Sequence, residues 1–267
     1  MPTKRWLSAG SSGGLNAAGI TMTDIPSGLH RTVAGLVPKS LRGQASWYLR
    51  APQRWTKRLL SDRQTVRRYL GSQATRKLQI GAGLNVKPGW LNGDLNPVGE
   101  GVIYLDAARR FPLDDGLFHY VFSEHMIEHV SYAAGRNMLS ECHRVMVRGG
   151  RIRICTPDLA NFLKLFRPER SQVENDYLAW ATREFIPAAD EIDPVFVLNN
   201  YVRDWGHQFI YDRSTLARAL ERAGFSDVSY HELGESADSQ LRGLECPDRM
   251  PPGFLALESM VLEAVKR

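Results

Sequence analysis

From Leu78 onward the chain alternates short apolar runs, each closed by a glycine or a carboxylate, with longer stretches whose apolar residues recur at helical spacing. Leu78 and Ile80 form the end of a short buried strand, and Gly81 and Gly83 follow at once. WLNGDLNP is a second short strand with Asp94 near its end, and Val102, Ile103 and Leu105 make a third that ends at Asp106. Phe111-Pro112-Leu113 and the acidic turn Asp114-Asp115-Gly116 lead into a fourth strand around HYVFS. NMLSECHRVMVRGG is an amphipathic helix with a glycine stop, carrying Met138, Leu139, Cys142 and Val145 or Met146 on its apolar side. RIRICTPD is a fifth strand, and YDRSTLARALERAGF is a later helix whose Leu216, Leu220 and Ala223 face the sheet before Gly224 ends it. Strands and helices alternating in this way specify a mostly parallel α/β sheet covered on both faces.

Upstream the pattern is different. Residues 1–40 are rich in Gly, Ser and Thr, with SAGSSGG near the start, and the first 20 or so are expected to be poorly ordered. In WYLRAPQRWTKRLLSDRQTVRRYLG, the residues Trp55, Leu59, Leu60, Val66 and Leu70 make a rough apolar stripe, so one or two helices are expected there. The division is therefore a basic extension over 1–75, disordered at its start and then helical, and a domain over 76–267.

Charge sharpens that division. Residues 1–77 hold fourteen Lys or Arg against only Asp24 and Asp62, so the overall net charge of +5 hides a basic arm on an acidic body. Such an arm can pack on the body or mediate a homo-oligomer, and it can also meet an anionic membrane or nucleic acid. The chain has no zinc-finger spacing and no RNA-binding aromatic signature, so nucleic acid is the weaker partner. At 267 residues and 43% hydrophobic content the chain can bury a large core. Cys142, Cys155 and Cys246 are odd in number and widely spaced, which fits a reducing compartment. No apolar run reaches the roughly 18 residues of a membrane span, and a cytoplasmic protein is expected.

Three stretches carry candidate chemistry. Glycines 81 and 83 permit a tight turn and close approach of a ligand to backbone N–H groups. Asp94 stands about a dozen residues on, where a carboxylate can accept hydrogen bonds from a ribose. The third glycine of the dinucleotide fingerprint is missing and the spacing to the acid is short, which argues against a hydride-transferring dehydrogenase. SEHMIEHV contains H-x-x-E-H, and a helix would bring His125, Glu128 and His129 close together as in a zinc protease. A metal site would need a further ligand. Cys142 reads as core rather than nucleophile.

IGAGLN, GWLNGDLN, LDAARRFPLDDGLFHYVFSEHMIEHV and HRVMVRGGRIRICTPD, in this order and spacing, resemble the class I S-adenosylmethionine-dependent methyltransferases, the UbiE/UbiG-like small-molecule type in particular. YDRSTLARALERAGF and ESMVLEAVK resemble the last helix and strand of that family, so the resemblance spans most of 76–267. It implies a Rossmann-like, doubly wound, mostly parallel seven-stranded sheet and S-adenosylmethionine as cofactor. By the same resemblance Gly81, Ala82 and Gly83 pass close to the methionine portion, and Asp94 binds the ribose hydroxyls. Asp106 lies by the adenine amino group with Ala107 beside it, and Ser123 ends the fourth strand near the cofactor. Gln79 and Asn85 depart from the family pattern, where an acid and a further glycine are common.

In this architecture EHMIEHV lies at the carboxyl end of the fourth strand, and the methyl donor explains the segment without zinc. The expectation is accordingly a metal-independent transfer. His125 or His129 orients an acceptor hydroxyl or takes its proton, or else either is a satisfied structural histidine. His207 lies in the long region from 158 to 212 where this class builds its substrate pocket. Trp180, Phe196, Tyr201, Trp205 and Phe209 either line that pocket or form a small core beneath an insertion. A histidine base favours O-methylation of a sugar or other metabolite. A noncatalytic interaction protein and an RNA methyltransferase using the basic arm are the alternatives.

Overall fold

The computed structural model describes residues 51–267, with side chains from residue 61 on. The expectations for residues 1–50 lie outside the described residues. The first described element is helix α1, Ala51–Ser72. Val66 and Tyr69 on its last turns pack against the main core. The Tyr69 hydroxyl donates to the Lys77 carbonyl (2.8 Å) and accepts from the Lys77 N–H (2.7 Å), tying the end of the helix to the start of the sheet.

Seven strands follow: β1 Lys77–Ile80, β2 Leu91–Asp94, β3 Val102–Tyr104, β4 Phe118–Glu124, β5 Met146–Pro157, β6 Phe225–His231 and β7 Ser259–Lys266. They form one sheet in the order β3-β2-β1-β4-β5-β7-β6. β1 to β5 pair in parallel, whereas β7 runs antiparallel to both β5 and β6. This is the seven-stranded, mostly parallel sheet expected from the sequence. The third strand is shorter than its apolar run suggests, ending at Tyr104, although the Leu105 N–H still reaches the Asp94 carbonyl at 2.9 Å. β5 starts earlier than expected, at Met146. Phe118 pairs with Met146 and Tyr120 with Arg151, so an irregularity absorbs the intervening VRGG without breaking the strand.

Helices cover the sheet because their apolar faces have nowhere else to go. In α2, Tyr132–Val145, the residues Met138, Leu139, Cys142 and Val145 are buried, which is the face the spacing predicts. Ser131 caps it by accepting from the Ala134 N–H. Full burial of each large aliphatic side chain contributes about 1.5–3 kcal/mol.

Between β5 and β6 the chain makes α3 Leu159–Lys164, α4 Gln172–Phe185, α5 Pro194–Arg203 and α6 Arg213–Arg222. α6 buries Leu216, Ala219 and Leu220, and Ala223 packs partly buried at its end. Ser171 and Glu174 close a capping box at the start of α4, and Asp193 followed by Pro194 starts α5. Phe162, Tyr177, Leu178, Val197 and Tyr201 form a second small core with Phe254 of α7, Phe254–Glu258. Of the aromatics that left pocket and core open, Trp180 and Tyr201 belong to this core, and Phe209 packs on the main one. Among the described residues no helix is long and apolar enough to cross a membrane.

Candidate active site at the carboxyl edge of the sheet

Because β1 to β5 are parallel, their carboxyl ends share one edge, and strand order reverses between β1 and β4. That is the crevice where open α/β sheets bind ligands. Antiparallel β7 begins at the same edge, with Ser259 opposite Pro157. Ile80 pairs with Ser123, so the turns that leave β1 and β4 start side by side.

The first turn is the glycine loop. Gly81 and Gly83 both take positive φ, 74° and 49°, a conformation that costs other residues about 1–2 kcal/mol. The Gly81 and Ala82 N–H groups donate to the Gly93 carbonyl, at 2.9 and 3.1 Å. Asp94 accepts from the Gly83 N–H through Oδ2 and from the Asn96 N–H through Oδ1, both at 2.8 Å. Its carboxylate is thus held rigidly with lone pairs to spare. Gln79 is buried and pins the loop, donating to the Asn85 carbonyl and accepting from the Lys87 N–H. Beside this loop Leu84 is 80% exposed and Leu95 52% exposed. Asp106 accepts from the Ala108 N–H and pairs with Arg109 at 3.1 Å, while Ala107 is buried beside it. Ser123 is buried, and its hydroxyl has no protein partner.

The second turn is EHMIEH. Residues Ile127–His129 form a single 3-10 turn, so the helical spacing that would put both histidines on one face does not arise. His125 takes φ 46°, a strained value for a non-glycine residue. Its Nε2 lies 2.8 Å from Ser259 Oγ and its Nδ1 3.3 Å from Glu128 Oε1. Glu128 has no exposed side-chain surface. Thr156 Oγ1 donates to its Oε2 at 2.9 Å, whereas Oε1 has only the histidine contacts, His125 Nδ1 and, at 4.0 Å, His129 Nε2. Burial pushes the Glu128 carboxyl up, but the His125 contact and the charges of His125 and His129 pull it down harder, to about 2.

After α5 the chain returns to this turn. The Gln208 and Phe209 N–H groups both donate to the Glu128 carbonyl, and the Gln208 side chain donates to the His129 carbonyl. Trp205 and Gly206, at φ 55° and 78°, make the tight corner just before. These bonds set the His207 ring 4.8 Å from the His129 ring, centroid to centroid. His207 Nδ1 lies 2.6 Å from the Tyr201 carbonyl, which can only accept, so Nδ1 carries the proton and Nε2 holds the lone pair of the neutral ring. Burial holds its pKa below the ordinary histidine value, with His129 and His125 adding to the effect.

The structure thus gathers His125, His129 and His207 at one place, with Gly81, Ala82, Gly83 and Asp94 on the neighbouring strand ends. Asp106 and Ala107 follow the outermost strand, β3, at the same edge. Sequence reasoning missed Glu124, which accepts from the Asn85 side chain (3.2 Å) and the Cys246 N–H (3.0 Å) and so joins the glycine loop to the 246 segment. It also missed Thr156 and Ser259. Glu124 stands within the motif itself, but Thr156 and Ser259 are signalled only by which strands become neighbours.

Residues 82–154 match the family described as Methyltransferase domain. The demethylmenaquinone methyltransferase of Mycolicibacterium gilvum is 33% identical over 131 residues, covering 47% of this chain and 50% of that protein. The chain therefore spans about half the length of this curated relative. Among solved structures, a SAM-dependent methyltransferase from Archaeoglobus fulgidus aligns at 21% identity and TM-score 0.43, over 78% of this chain and 94% of that one. A possible histamine N-methyltransferase from Thermotoga maritima aligns at 17% identity and TM-score 0.41, over 82% and 97%. The matched segment runs from the glycine loop after β1 into β5, and so takes in both turns of the site.

Proposed function

We propose that the protein is an enzyme that transfers a methyl group from S-adenosylmethionine to a small-molecule acceptor, a hydroxyl oxygen of a sugar or other metabolite. The observation that carries this reading is the pairing of Ile80 with Ser123, which starts the glycine loop and the histidine turn next to each other. A ligand held by the loop has the histidines as neighbours.

The residues of the loop fit the cofactor. A Cβ built on Gly83 meets no atom within 4 Å, so its backbone is open to a close ligand. Asp94 offers fixed acceptor lone pairs to the ribose hydroxyls, and exposed Leu84 and Leu95 offer apolar surface to a flat ring. Gly81 and Ala82 would border the methionine portion, Asp106 and Ala107 the adenine, and Ser123 the floor between the loops. When bound, S-adenosylmethionine supplies a methyl on a positively charged sulfur, which is already electrophilic. What is left for the protein is to align the acceptor and exclude water. His125 is engaged through both nitrogens and positions the turn. His129 and His207 would receive an acceptor hydroxyl.

The test is calorimetry with S-adenosylhomocysteine on the wild type and Asp94→Ala, followed by transfer of labelled methyl to hydroxyl, amine and carbon acceptors. Binding that weakens in the variant supports the assignment. A folded wild type that binds nothing sinks it, and transfer to nitrogen or carbon alone replaces the acceptor class.

A further inference from the structure

We propose that Glu128, His129 and His207 form a binding site for a divalent first-row metal ion, with two imidazoles and one carboxylate as ligands. The H-x-x-E-H pattern lacked a further ligand when read along the sequence. The fold supplies one in His207 and withdraws another, because both nitrogens of His125 are engaged, Nε2 by Ser259 and Nδ1 by Glu128.

Four observations carry the proposal. One ligand atom from each of Glu128, His129 and His207 lie within 4.8 Å of one another, and Glu128 Oε1 is 4.0 Å from His129 Nε2. Ligands on a tetrahedral ion with bonds of about 2.0–2.1 Å sit roughly 3.4 Å apart, so small side-chain rotations close the set. His129, 37% exposed, has room to make them. Glu128 Oε1 is a fully buried carboxylate oxygen whose contacts are with His125 Nδ1 at 3.3 Å and His129 Nε2 at 4.0 Å, and a cation at the cluster would add to the neutralisation of its charge.

The surroundings also match what metal ligands require. A ligating histidine almost always donates its other ring N–H to a carbonyl or carboxylate, and a ligating carboxylate is itself hydrogen-bonded. His207 Nδ1 does the first toward Tyr201, and Thr156 does the second for Glu128. Strained backbone at His125 and at Trp205 brackets the cluster, as is common where geometry is held for function. Two imidazoles and a carboxylate suit zinc, cobalt, iron or manganese, and three protein ligands leave positions open. An acceptor hydroxyl at an open position would release its proton to water near neutral pH. That last consequence rests on the methyltransferase reading, whereas metal binding does not.

The experiment is equilibrium dialysis of the full-length protein against Zn²⁺, with metal content by mass spectrometry and Co²⁺ absorption as a readout of the ligand set. The expected result is one ion per chain, with affinity falling at least about tenfold in His129→Gln and in His207→Gln. His231→Gln on β6 serves as the control and should bind like the wild type. Absence of stoichiometric binding overturns the proposal, as does binding that both variants retain. If His207→Gln fails to fold because the Tyr201 contact is lost, the half-exposed His129 decides alone. Calorimetry with S-adenosylhomocysteine on metal-free protein keeps failure here distinct from failure of the cofactor assignment.

Discussion

Gly81 lies directly against Met126: a Cβ built on Gly81 would come 2.6 Å from Met126 Cβ and closer still to its Cγ. The loop after β1 and the turn after β4 are therefore in contact without room for a methyl group. Gly81→Ala should lose about 2–4 kcal/mol, part from the positive φ and part from overpacking. Gly83→Ala has the same kind of φ but open space, and should lose only about 1 kcal/mol. Urea unfolding of both variants and of Gly81→Ala/Met126→Ala separates the terms. Equal losses at the two glycines would show that the contact with Met126 is immaterial.

Asp94 and Asp106 should differ in their effect on cofactor affinity. Asp94→Ala removes a fixed acceptor of two N–H groups and is expected to weaken S-adenosylhomocysteine by about ten- to a hundredfold. The Asp106 carboxylate is already paired with Arg109, and its loss should matter less. Calorimetry on both variants checks the ranking, and a larger effect at Asp106 would reverse it.

Thr156 should behave as a support for Glu128 although it touches no expected ligand. Thr156→Val keeps the shape but strips the donor from Oε2, leaving the buried carboxylate only its histidine contacts at Oε1. The expected cost is about 1–3 kcal/mol in unfolding free energy. Thr156→Ser, which retains the hydroxyl, should recover most of it. If valine and serine are equally stable, the Thr156 bond contributes nothing.

Stability should depend on pH through Glu141. Its carboxylate accepts from Arg144 and from the Phe111 N–H, and the Arg144 guanidinium holds its pKa below the ordinary carboxylate range. A depressed pKa means that the unfolded chain takes up the proton first. The contribution is therefore complete above the unfolded pKa and is lost as pH falls through the folded one. Glu141→Gln should be less stable than the wild type at neutral pH, with the gap closing in acid. Melting curves across that range test this; a gap that stays constant would remove the ionised pair as its cause.

Much of the architecture is written in local pattern. Leu78 and Ile80 before Gly81, or Met138, Leu139, Cys142 and Val145 along one helix face, state their own burial, because strand and helix periods sort apolar residues without reference to distant chain. The parallel sheet, the glycine loop and the place of EHMIEH at a strand end follow from that sorting. So does the place of Asp94 near the end of the second strand, whereas its bond to the Gly83 N–H is a finding of the structure. What tertiary structure alone decided is the company kept by Glu128. Helical spacing would have grouped it with His125 and His129; the chain makes a single 3-10 turn instead, which keeps both rings near its Oε1, at 3.3 and 4.0 Å, while His125 also reaches Ser259. Ser259 is present only because β7 runs antiparallel and so begins where the other strands end. His207 arrives because the Gln208 and Phe209 N–H groups need acceptors after a long insertion and find the Glu128 carbonyl. No local period encodes those partners, since each depends on hydrogen bonds that form only once the sheet has assembled.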